Sequence, residues 1–101
     1  MSVRHLRQQQ QMGIERELMK EQSGALGRAG AALAAAIARY HENPNAREEQ
    51  REQLLDEIAD RCWQLQMQRE FTGFVDGNRE YIQRHYAPPA EAMARMGKPR
   101  G

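Results

Sequence analysis

One cysteine, Cys62, is all that a chain of 101 residues carries. No internal disulfide can form, and a zinc site of four thiolates is excluded. Small secreted domains usually need such staples, so the composition points away from oxidising compartments. An apolar signal core is also missing, because Gln8, Gln9, Gln10 and Gln11 stand where one would be needed. The least polar run, Ala29–Ala38, is about half a membrane span. A cytoplasmic protein without membrane insertion is expected. Charge of one sign is lacking as well: 15 Lys and Arg stand against 14 Asp and Glu, for a net +1. No overall field therefore steers the chain toward nucleic acid or anionic lipid. Strand alternation and internal repeats are absent too.

What is present is helical periodicity. Met12, Met19, Leu26, Leu33 and Tyr40 recur every seven residues, and Leu18 and Ile37 widen the stripe. The spacing predicts a helix over about 13–42, after a polar lead-in of residues 1–12. Asn43-Pro44-Asn45 then stops the chain, since the residue before proline is pushed out of the helical region. Asn45 with Glu48 reads as a capping box, or Asn43 caps with Pro44 at the first helical position. A second helix is expected over about 46–74. Asp76-Gly77-Asn78 signals a turn, and short helices follow over about 79–86 and 89–96, the last ended by Gly97. The helical domain then covers 13–97, with a basic tail at 98–101. The fold class is all-α: a long antiparallel hairpin plus one or two short C-terminal helices. Each long helix spans roughly 43 Å at 1.5 Å per residue, which leaves a lone hairpin little interior. Two hairpins joined in a dimeric bundle are expected.

Three glycines in the first helix need a reason. Gly24, Gly27 and Gly30 each cost about 1 kcal/mol relative to alanine in a helix interior. With Ala34 and its neighbours they share a face of small side chains. Either they end one helix near residue 24, or they permit close approach of another element. The second helix offers a complement: its main stripe runs through Leu54, Leu55, Ile58, Ala59, Cys62 and Leu65, and a separate stripe carries Trp63, Met67, Phe71 and Phe74. These residues and the glycine face are the expected interface, within one chain or across the dimer. Gly27→Leu should accordingly harm the fold far more than Gly27→Ala.

Arg69 lies on the main stripe beyond Leu65, and Glu15 lies between Met12 and Met19. Folding the hairpin about Pro44 brings together residues whose numbers sum to about 87, which puts Arg69 opposite Met19 and within a turn of Glu15. A charge on an apolar stripe is ordinarily paired, so a structural ion pair of Arg69 with Glu15 is expected. A ligand-binding arginine is the sharper alternative.

Catalytic chemistry finds little support. His5, His41 and His85 lie far apart, and no Glu-x-x-His or His-x-x-x-His spacing exists. Asp56, Glu57 and Asp60 read as a solvated acidic face, Cys62 as a buried inert thiol, and the glycines follow no strand that would make them a phosphate cradle. No catalytic, metal or cofactor residue is assigned, and an enzyme is not expected. The segment Ile14-Glu15-Arg16-Glu17-Leu18-Met19-Lys20-Glu21, then Ala25-Leu26-Gly27-Arg28-Ala29-Gly30, Trp63, Gln68-Arg69-Glu70, Gly73 and Ala94-Arg95-Met96-Gly97 resembles a family of short, uncharacterised bacterial proteins, a domain of unknown function. The resemblance implies a helical bacterial protein and brings no activity with it. The expected role is a non-enzymatic homodimeric interaction or scaffolding module. The alternative is accessory nucleic-acid binding through Arg4, Arg7, Arg79, Arg84, Arg95, Lys98 and Arg100 near the ends.

Overall fold

The computed structural model describes residues 24–98. Among them lie four helices and no strand: α1, Gly24–Glu42; α2, Glu48–Thr72; α3, Asn78–Tyr86; and α4, Ala90–Arg95. The all-α class and the hairpin are as the periodicity implies, with α1 packed along α2. Leu26, Leu33, Ala36 and Ile37 of α1 meet Leu55, Ile58, Cys62 and Leu65 of α2 in one core. Ile82 of α3 and Ala92 and Met93 of α4 close it. α2 packs against all three other helices.

The connection after α1 differs from the expected capping box. Asn43 caps backward: its side-chain Nδ2 donates to the Arg39 carbonyl at 2.7 Å. The Asn43 carbonyl then accepts from the Ala46 N–H at 3.2 Å, so Pro44 and Asn45 form the tip of a turn. With both asparagines engaged in ending α1 and turning, α2 starts later, at Glu48, from an extended Arg47 that makes no side-chain cap. Glu48 and Glu49 in the first turn complement the helix dipole instead. Across the hairpin Arg39 pairs with Glu57, residues whose numbers sum to 96 rather than about 87. In that register Arg69 comes level with Gly27, not Met19.

Gly24 has φ +65°, in the left-handed region. A right-handed helix does not pass through such a residue, so the uninterrupted helix expected across residue 24 is not what this backbone makes. Heptad phase is blind to φ, and a glycine adopts this conformation at no steric cost. The rest of the expected 13–23 helix, with Glu15, the 1–12 lead-in and the last residues of the tail lie outside the described residues.

α2 ends two residues earlier than its pattern. Gly73, at φ +112°, donates its N–H to the Glu70 carbonyl at 3.0 Å, and Phe74 donates to the Arg69 carbonyl at 2.9 Å. That pair of bonds is a Schellman termination. A Cβ at Gly73 would meet nothing within 4 Å, so any cost of adding one is purely conformational. Gly73→Ala is expected to lower stability by about 1 kcal/mol, read as a lower urea midpoint with an unchanged slope.

α4 has only six residues, and polar contacts hold it on α2. Arg95 reaches Glu52 at 2.5 Å and Asp56 at 3.0 Å, and Arg51 reaches Glu91 at 2.5 Å. The Asp56 and Glu52 carboxylates raise the Arg95 pKa, and hydrogen bonding from Arg51 lowers that of Glu91. Arg79 of α3 adds a bond to the Met93 carbonyl at 2.9 Å.

Candidate functional site

The site with most structure around a charge is Arg69. It is 1% exposed, at the C-terminal end of α2 where a cation complements the helix dipole. Its Nε donates to Asn78 Oδ1 at 2.8 Å, and Asn78 Nδ2 donates to the Phe74 carbonyl at 2.5 Å. The guanidinium lies over the Tyr81 ring, 3.6 Å from its centroid, and 4.7 Å from that of Phe74. Planar, weakly hydrated guanidinium stacks on aromatic faces as an ammonium does not. In a Schellman ending, the residue after the glycine usually makes an apolar contact with the last helical turn. Here Phe74 makes that contact with Arg69, so one side chain caps the end of α2 and anchors α3. Burial lowers the Arg69 pKa from its ordinary value.

The expected partner, Glu15, lies outside the described residues, and the groups on Arg69 include Asn78, Tyr81 and Phe74. Asn78 was legible only as part of a turn; a buried asparagine at the first position of a helix has no periodic signature. Beside the arginine is an open cleft of about 220 Å³, lined by Asp76, Glu80, Tyr81, Arg84 and His85. His85 lies against Tyr81 with ring centroids 4.2 Å apart and the rings tilted by 42°. The cleft mixes carboxylates with cations and does not select a ligand sign.

The expected interface residues separate. Gly30 is buried, and a Cβ built there would lie 2.3 Å from the Tyr86 hydroxyl. Its close neighbour is therefore a tyrosine of α3, not the aromatic stripe of α2. Gly27 is half-buried, while Gly24 and Ala34 are exposed, as are Ala31, Ala35 and Ala38. Of the second stripe, Phe74 and Met67 are half-buried, but Trp63 is 46% exposed and Phe71 91%. Trp63 touches the C-terminal end of the described chain, near Gly97. α3 and α4 are too short to cover both faces of α2.

Among the described residues no group of three His, Cys, Asp or Glu side chains is placed to hold a metal ion. Asp56 and Glu57 of the acidic group are engaged by Arg95 and Arg39. Cys62 is buried, and burial pushes its thiol up to about 11. None of the described helices is long and apolar enough to cross a membrane. The chain matches no protein-family model, no curated protein and no solved structure. Of the terminal basic residues, Arg79 and Arg95 are committed to contacts within the chain.

Proposed function

We propose that the protein is a non-enzymatic helical interaction module that works as a homodimer. The observation that carries this reading is large apolar surface left in water: Phe71 at 91% exposure, Val75 at 70% and Trp63 at 46%. Large apolar side chains left this exposed on a small helical protein are candidates for a docking surface. The small-residue face of α1 supports the reading in a second way. Gly24, Ala31 and Ala38 recur every seven residues, with Ala34 and Ala35 beside them, and all are exposed. Such a seam lets a second helix approach closely at little cost in side-chain entropy. The proposed interface is accordingly this alanine face together with Trp63 and Phe71, with Gly30 removed from it because Tyr86 occupies that space. A cellular location in the cytoplasm and a bacterial origin belong to the same proposal.

Sedimentation equilibrium at tens of micromolar tests it. A mass of about twice 11.7 kDa is expected for the intact chain. Ala35→Glu with Phe71→Glu should return the monomer mass while helical content by circular dichroism stays the same, since both positions are exposed. A wild-type mass of 11.7 kDa across that range rules the dimer out.

A further inference from the structure

The connection between α3 and α4 has an unusual construction. Ala87 is the sole non-glycine with positive φ among the described residues, at φ 49° and ψ 51°. Alanine in that conformation is strained, and it also precedes Pro88, which disfavours helical dihedrals in its neighbour. Pro88 and Pro89 have fixed φ and no N–H. The soft dihedrals between the two helices are therefore those of Ala87 and the ψ angles of the two prolines, and the strained setting of Ala87 is kept by the packing of α4.

α4 is held by two buried side chains and a set of surface ion pairs. Six residues are too few for a helix to persist alone in water. Its buried side chains are Ala92 and Met93, and its other fastenings are the Arg95–Glu52, Arg95–Asp56 and Arg51–Glu91 pairs and the bond from Arg79. Under the helix, Met93 Sδ lies 4.0 Å from the buried Cys62 Sγ. The α1–α2 part of the core, built from Leu26, Leu33, Leu55, Ile58 and Leu65, belongs to the same cluster as Ala92 and Met93 and takes no part in those ion pairs.

We propose that α4 is a releasable strap. It swings about Ala87 as a unit while the α1–α2 hairpin stays folded, and its release uncovers the α2 surface at Cys62. Local openings of this kind are expected where a short element carries few buried apolar contacts and many screened ion pairs. The inference stands apart from the dimer, since it concerns one chain's own C-terminal helix.

Cys62 is the chain's single thiol, so a thiol–disulfide reagent such as Ellman's reports its uncovering and nothing else. Labelling of the intact protein is measured at zero urea and through the range below the unfolding transition. A strap gives a labelling rate with a much weaker urea dependence than global unfolding. Arg95→Gln should then raise the rate at zero urea at least about fivefold with the far-ultraviolet melting curve nearly unmoved. Leu26→Ala, which weakens the hairpin core two turns away from Cys62, should leave that rate unchanged. If labelling follows the urea dependence of global unfolding, or if Leu26→Ala accelerates it while Arg95→Gln does not, α4 does not open separately and the proposal fails.

Discussion

Arg69→Ala lowers stability by about 3–5 kcal/mol on the expected account, the largest effect of any single change considered. The substitution empties the space of a long side chain that is 1% exposed and leaves Asn78 Oδ1 without the donor 2.8 Å away. It also removes the stack on Tyr81 and Phe74 that joins the end of α2 to α3. For a domain of this size the melting temperature should fall by at least about 12 °C. Arg69→Lys should recover only a small part, because an ammonium makes no planar stack and reaches Asn78 without the fixed geometry of the guanidinium. Arg69→Met should recover more by restoring volume. In a double-mutant cycle with Asn78→Ala the coupling should be about 1 kcal/mol or more. The same cycle with Glu15 measures the ion pair that the sequence suggests. If Arg69→Ala shifts the melting temperature by less than about 3 °C, the arginine is not structural and the ligand-binding alternative takes its place.

At Gly30 the sign of a substitution should depend on a residue 56 positions away. A Cβ there would lie 2.3 Å from Tyr86 Oη but 3.4 Å from the ring carbon that bears it. Gly30→Ala in the native background forces the Tyr86 ring aside and is expected to cost about 1–3 kcal/mol despite the better helix propensity of alanine. In a Tyr86→Phe background the obstructing oxygen is gone, and the same change should become neutral or stabilising by up to about 1 kcal/mol. Urea denaturation of the four proteins of this cycle reads both numbers. Equal effects in the two backgrounds would mean that Tyr86 does not occupy the notch left by Gly30.

The hairpin was legible because its signals are local and periodic: a stripe on each helix and a proline-centred break between them. Asn43 illustrates the limit of such reading. Its side chain can cap the helix before it or the one after it, and only the observed bond to the Arg39 carbonyl decides. The wheel put Arg69 on the buried stripe, which it is, yet could not say what lies above it. That depends on α3 folding back after Gly73 and bringing Asn78 and Tyr81 onto the arginine. The close approach at a glycine was also expected in kind, but Tyr86 supplies it from an element whose direction no periodicity encodes. The second stripe of α2 divided, since Met67 and Phe74 are half-buried while Phe71 remains in water and its cover is not found within the described residues.

α1 and α3 each join α2 by a short connection, so the hairpin and the α2–α3 corner form without closing a long loop, whereas α4 reaches α2 only after α3 has folded back. A chain of this topology can build outward from α1 and α2, adding α3 and then α4 as later, smaller steps. Changes confined to α4 should then act on the rate at which the protein comes apart, and hardly at all on the rate at which it forms.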